Sequence, residues 1–217
     1  MQMQHPDGAV MEVQGLTRWF HVGGGGPFGW GGPARYVHAV DDVSFTLRKR
    51  RILALVGESG SGKSTIARML ARLYPPTSGK VLLKGQDALA HNDRTSVLAY
   101  RSDVQMIFQD PFGSLNPVKT IRHHLARPLA IHKGLKGKEA DETIYDLLRT
   151  VGLVPPDDFA AKYPHQVSGG QRQRVAIARA LAVDPEVILA DEPISMLDVS
   201  IRMGILNLME KLKEERG

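Results

Sequence analysis

Gly57-Glu58-Ser59-Gly60-Ser61-Gly62-Lys63-Ser64, with Thr65 directly behind it, fits G-x-x-x-x-G-K-[ST], the Walker A phosphate-binding loop. The glycines let backbone N–H groups turn toward a phosphate with no Cβ in the way, which makes an anion-binding nest. Lys63 can reach the β- and γ-phosphates as a mobile cation, the Ser64 hydroxyl can ligate Mg²⁺, and Thr65 is placed to contact the α-phosphate. Upstream, Ile52-Leu53-Ala54-Leu55-Val56 predicts a buried strand running into the loop. Downstream, Ile66, Met69, Leu70 and Leu73 recur at helical spacing, so a helix leaves the loop with its positive end toward the phosphates. A Gly-rich surface turn would need neither flank. The stretch implies a nucleoside triphosphate site.

Composition bounds the rest. A chain of 217 residues suits one domain with a sizeable core. Its apolar runs are strand-sized, far short of a membrane span, and the opening Met1-Gln2-Met3-Gln4-His5-Pro6 lacks the layout of a signal peptide. With no cysteine there is no disulfide, thiolate zinc site or iron–sulfur ligation in this chain. The net charge of +5 is concentrated in Arg48-Lys49-Arg50-Arg51 and in residues 123–138. Such stretches suit a nucleic-acid or anionic-membrane surface, but neither interleaves aromatics as a base-stacking platform does; solvated charge beside a nucleotide site is the favoured reading, and no nucleic acid is expected as a partner.

In chain order, residues 10–20 predict an opening strand, residues 21–33 an irregular Gly-rich loop containing Phe28 and Trp30, and residues 37–47 a second strand with Val43, Phe45 and Leu47 on one face. Tyr36 is a candidate for stacking on an adenine ring, with Trp30 and Phe28 as alternatives. After the Walker A helix, a turn at Pro75-Pro76 leads into a short strand over residues 80–84. Residues 104–108 predict a strand with Gln109 at its end. Residues 110–117 contain two prolines and continue neither regular element. Over residues 141–152, Ile144, Leu147, Leu148 and Val151 form one apolar stripe, with Asp141 as N-cap and Gly152 as stop.

Ser168-Gly169-Gly170-Gln171 then opens a helix over residues 171–183, with a hydroxyl, small residues and exposed N–H groups at its start. Val187-Ile188-Leu189-Ala190 predicts a buried strand that delivers Asp191 and Glu192 at its carboxyl end, where open α/β sheets bind their ligands. Asp191 can hold Mg²⁺ and Glu192 can polarise an attacking water. Asp198 caps a final helix with Ile201, Ile205, Leu208 and Leu212 on one face.

The order Walker A, Gln109, Val167-Ser168-Gly169-Gly170-Gln171-Arg172-Gln173-Arg174, Asp191-Glu192-Pro193, Ser195-Met196-Leu197-Asp198 resembles an ATP-binding cassette (ABC) ATPase over nearly the whole chain. Tyr163-Pro164-His165-Gln166 and residues 109–117 resemble the oligopeptide/dipeptide branch of importers, which also includes nickel and oligosaccharide systems. The resemblance implies an α/β fold with a P-loop core (residues 1–97 and 184–217), an antiparallel β portion near the N-terminus, and an inserted helical subdomain (residues 98–183), together one nucleotide-binding domain. It implies ATP and Mg²⁺, with Ser64, Gln109 and Asp191 toward the metal and Lys63, Gln109 and Glu192 in catalysis. It further implies a head-to-tail pair of cassettes, homo- or heterodimeric, in which Ser168, Gly169, Gly170 and Gln171 meet the partner's ATP and Asp198 links the two sites. An integral-membrane permease would be met by the loop after Gln109, at the cytoplasmic face of the membrane, with an extracytoplasmic solute-binding protein as an indirect partner.

Several positions depart from the family's pattern. Val167 replaces Leu, Ile194 and Met196 stand where Thr and Ala are common, and Arg50-Arg51 fills a turn usually written Gly-Glu. The chain also ends at Gly217 before the family's last strand and its switch histidine, as a C-terminally shortened cassette would. A soluble ABC ATPase of DNA repair or translation is the alternative. Such proteins carry zinc modules, coiled coils or a second cassette, none of which is visible here. A binding-only regulatory cassette is disfavoured by Glu192.

Overall fold

Alternating apolar positions make two long strands, β1 (Ala9–Gly23) and β2 (Arg35–Arg48), which pair antiparallel. The computed structural model describes residues 8–23, 34–110 and 113–216. Phe28 and Trp30, and the Pro111-Phe112 part of the loop after Gln109, lie outside the described residues. The chain divides into two compact units, Met1–Asp93 and Arg94–Gly217.

In the first unit β3 (Ser78–Leu83) and β4 (Gln86–Asp87) complete a sheet of order β2-β1-β3-β4. Met11 and Val13 of β1 face the core, and then the buried set shifts to Leu16 because the register slips between Val13 and Leu16. Buried Thr17 ties the slip together: its hydroxyl donates to the Gly15 carbonyl (3.3 Å) and accepts from the Asp42 N–H (3.0 Å). On β2, Val43, Phe45 and Leu47 share the inward face as expected.

Two expectations in this unit need correction. The segment Ile52-Leu53-Ala54-Leu55-Val56 is not a buried strand: it has no ladder among the described residues, and Val56 is 92% exposed. An apolar run becomes a strand only where a neighbour takes up its N–H and C=O groups. The helix after the loop, α1 (Lys63–Leu70), also stops short of Leu73. Arg72 adopts a left-handed conformation (φ +53°), and the Arg72 and Leu73 N–H groups close back on the carbonyls of Met69 and Arg68. That closure ends the helix and leaves Leu73 exposed.

The second unit packs α2 (Arg94–Asp103), α3 (Ile121–Pro128), α4 (Gly137–Thr150), α5 (Pro156–Ala161), α6 (Gly169–Leu181) and α7 (Val199–Arg216) with a parallel pair, β5 (Val104–Ile107) and β6 (Val187–Ala190). Its core is built from helical stripes: Ile121, Leu125 and Leu129; Ile144, Leu147, Leu148 and Val151; Ile205, Leu208 and Leu212. Gly152 stops α4 at φ +73°, as expected. Asp141 is not its N-cap. The helix begins a turn earlier, behind Lys136, and Asp141 pairs instead with Arg122 of α3. Pro128 has no N–H to donate, and beyond it α3 gives way to a π-helical turn (Leu129–Lys133) closed by Gly134. Among the described residues no helix is long and apolar enough to cross a membrane.

The Arg50-Arg51 turn is as uncomfortable as its residues suggest, with Arg50 at φ +58°. A Cβ in that region costs about 1–2 kcal/mol, partly offset by the greater unfolded-state freedom of glycine. Arg50→Gly should therefore stabilise the first unit by up to about 1 kcal/mol, read as an upward shift in thermal midpoint.

Candidate functional site: a phosphate loop and a paired carboxylate

The Walker A residues all belong to the first unit, whereas Gln109, the signature, Asp191, Glu192 and Asp198 belong to the second. Gly60 (φ +83°) and Gly62 (φ +89°) curl the loop ahead of α1. At Gly62 a Cβ would fall 2.2 Å from the Ala39 carbonyl oxygen of β2, so only glycine fits there. Lys63 Nζ folds over the loop and donates to the carbonyls of Gly57 (2.7 Å) and Glu58 (2.6 Å) and to Ser61 Oγ (3.3 Å). The ammonium thus sits on the loop's own oxygens, mobile and within reach of an anion held by the start of α1, where Ser64 and Thr65 lie half-buried. Tyr36 lies inside β2, 53% exposed, with its ring edge-on to His21. Beside it, the cross-strand stack of Trp19 on His38 (4.3 Å) is an aromatic surface that sequence reading missed.

In the second unit one register assembles the chemistry. β5 and β6 run parallel, with Val104 opposite Val187 and Ile107 opposite Ala190. Gln109 and Glu192 each lie two residues beyond that last pair, so they emerge side by side at the same carboxyl edge. Gln109 Nε2 donates to Glu192 Oε2 at 2.8 Å. The Asp191 N–H donates to the Ile107 carbonyl (3.0 Å), extending the ladder one step and burying Asp191 to 5% exposure. Glu192 takes φ +44°, a strained conformation for a residue with a Cβ, and its carbonyl accepts from the Ser195 N–H and hydroxyl. A buried carboxylate and an amide oxygen are hard oxygen donors of the kind Mg²⁺ takes alongside phosphate and water, so Asp191 and Gln109 of the second unit fit that ion chemically, and the Ser64 hydroxyl of the first unit is by itself a donor of the same kind. Among the described residues no group of three or more His, Cys, Asp or Glu side chains could cage a metal by itself.

The helix at the signature, expected over residues 171–183, both begins and ends two residues earlier, as α6 (Gly169–Leu181). Ser168 is its N-cap in a reciprocal capping box: Ser168 Oγ accepts from the Gln171 N–H (3.3 Å), and Gln171 Oε1 accepts from the Ser168 N–H (3.0 Å). The hydroxyl keeps its own proton for a further acceptor. A Cβ at Gly170 would lie 2.6 Å from Ile201 Cγ2 of α7, whereas one at Gly169 would meet Leu197 Cδ2 at an ordinary 3.7 Å. Asp198 stands just before α7, and its carbonyl accepts from the N–H groups of Ile201 and Arg202. Among the departures, Val167 is buried, Ile194 packs against the core and Met196 projects outward, so the bulkier residues are accommodated.

The loop after Gln109 is pinned at two points that sequence reading did not single out. Arg179 of α6 donates to the Ser114 carbonyl at 2.6 Å, and His124 Nε2 donates to the Asn116 carbonyl at 3.0 Å. Burial lowers the pKa of both Arg179 and His124. These groups, with Lys119, His123, Arg127 and His132, wall a cleft of about 410 Å³ that carries no carboxylate among its described lining residues.

A phosphate loop at a helix start, a carboxylate pair at a parallel strand edge and a capped signature helix define a P-loop ATP-binding cassette. Residues 40–195 match the protein family described as ABC transporter, and the chain belongs to that family. It is 52% identical over 179 residues to the oligopeptide transport ATP-binding protein AppF of Bacillus subtilis (strain 168), covering 82% of this chain and 54% of that protein. It is 46% identical over 185 residues to the dipeptide transport ATP-binding protein DppF of Escherichia coli (strain K12), covering 85% and 54%. The chain therefore spans about half the length of such relatives. Among solved structures, the dimeric post-hydrolysis state of the ATP-binding cassette MJ0796 bound to ADP and Pi superposes with a TM-score of 0.79 at 31% identity, covering 95% of this chain and 84% of that one.

If Gly170 is glycine because α7 presses on it, Gly170→Ala should lower stability by about 1–3 kcal/mol. Ile201→Ala should relieve most of that loss in the double variant, measured as a coupling in thermal or denaturant unfolding. Additive losses would assign the glycine to something other than this packing.

Proposed function

We propose that this chain is the ATP-binding and ATP-hydrolysing part of an importer for peptides or a related solute. What most supports the reading is the parallel register that sets Gln109 against Glu192 at the strand edge. The Walker A loop would hold the phosphates through its amides and Lys63, with Tyr36 stacking on the adenine. Ser64, Gln109 and Asp191 would hold Mg²⁺, which neutralises phosphate charge. Glu192, held by Gln109 and fixed by its own strained backbone, is placed to orient a water and take its proton. Ser168 and the amides at the start of α6 offer a second anion site, which a head-to-tail partner cassette would use on its own nucleotide.

The names of the relatives favour peptide uptake, and the cationic cleft beside the loop after Gln109 suits an acidic cytoplasmic segment of a separate permease. On this reading the chain works at the cytoplasmic face of the membrane, with a solute-binding protein acting on the permease's far side.

Lys63→Ala should abolish useful ATP binding by calorimetry, since the phosphates lose their mobile cation. Glu192→Gln should bind ATP as the unsubstituted chain does yet release phosphate roughly 10²–10⁴-fold more slowly, the usual loss for a removed general base. Normal turnover in Glu192→Gln would point to another base. Arg127→Glu should leave ATP binding intact and abolish co-purification with the permease. Retained co-purification would move that interface elsewhere.

A further inference from the structure

Among the polar side chains at the start of α6, one stands apart. Gln171 caps Ser168, Arg172 Nε donates to the Val167 carbonyl, and Arg174 donates to the Val151 carbonyl. Gln173, at 0% exposure, has no hydrogen-bond partner among the described residues on either its side-chain nitrogen or its oxygen. A buried primary amide without partners is a liability that leucine or methionine would avoid at similar volume.

Its location suggests where a partner could come from. Gln173 lies three and four residues after Gly170 and Gly169, on the same helix face. That face carries the close approach to Ile201 and the contact with Leu197. Helical side chains lean toward the N-terminus, so residue 173 shares with the two glycines the face on which Leu197 and Ile201, at and just beyond the end of the loop that runs from Glu192 to Asp198, are packed. That loop is short, strained at Glu192 and tied to the Glu192 carbonyl through both Ser195 donors. A shift of it would be felt directly at Glu192.

We propose that Gln173 is a positioning residue whose amide bonds the backbone of the 194–198 loop in the ATP-bound state, linking the signature helix to Asp198 and Glu192. This rests on the ATPase reading above. The test replaces the amide with a near-isosteric apolar chain, Gln173→Met, in the full chain. The thermal midpoint should hold or rise and KM for ATP should stay within about twofold, while kcat falls about tenfold or more, the pattern of an interaction made only in the reacting state. Unchanged kcat would overturn the proposal. So would a lowered midpoint or a failure to fold, because either would mean the amide is already bonded in the resting fold. Hydrogen exchange of the 194–198 amides gives a readout independent of turnover. Protection gained with ATP in the unsubstituted chain and lost in Gln173→Met supports the contact, and equal exchange in both overturns it. Absence of turnover in the unsubstituted chain would instead reject the ATPase reading alone.

Discussion

The second unit depends on a parallel strand pair of only four residues a side. Parallel pairing makes both chains leave the sheet at one edge, and the register decides which residues leave together. A slip of one residue would set Gln109 against Asp191 and turn every side chain to the opposite face. The helices that stabilise the pair hold that register. Arg179 of α6 fastens the outgoing loop of β5, while the Asp191 N–H extends the ladder past β6. Asp191 is therefore buried while Glu192, one residue on, is exposed.

Two helix starts handle the same problem, amides without intrahelical acceptors, in different ways. At α1 the loop uses left-handed glycines and leaves the first turn to whatever anion arrives, with Lys63 held in reserve on loop carbonyls. At α6 the Ser168–Gln171 box satisfies the end internally and makes it rigid before any ligand is present. The first arrangement suits a tightly cradled polyanion. The second suits a surface that must keep its shape while exposed and still leave a hydroxyl proton free to donate.

Much of this was legible in the sequence, and the parts that were not have physical causes. The Walker A loop, the Ser168 cap and the α4 stripe are local patterns, whereas Gln109 and Glu192 are each legible at the end of an apolar run but are brought together only by the long-range pairing of β5 with β6. The run Ile52-Leu53-Ala54-Leu55-Val56 is different, because hydrophobicity predicts burial but cannot supply the strand that must accept its ladder. Asp141 has the chemistry of a cap, yet Arg122 claims it and the helix starts earlier. The end of α1 was missed because an arginine, not a glycine, takes the left-handed position that closes it.

Gly170 and Gln173 show how one motif can carry two demands. Read for ligands, the signature glycines clear a path for phosphate; read for packing, only Gly170 lies where a methyl group would strike Ile201. Gln173, three residues on along the same helix face, is fully sealed from water. A larger residue at 170 would press on Ile201 and push α7 away. Tight packing at one position and, among the described residues, an unpaired amide three residues on thus share one helix face, the face that meets Leu197 and Ile201.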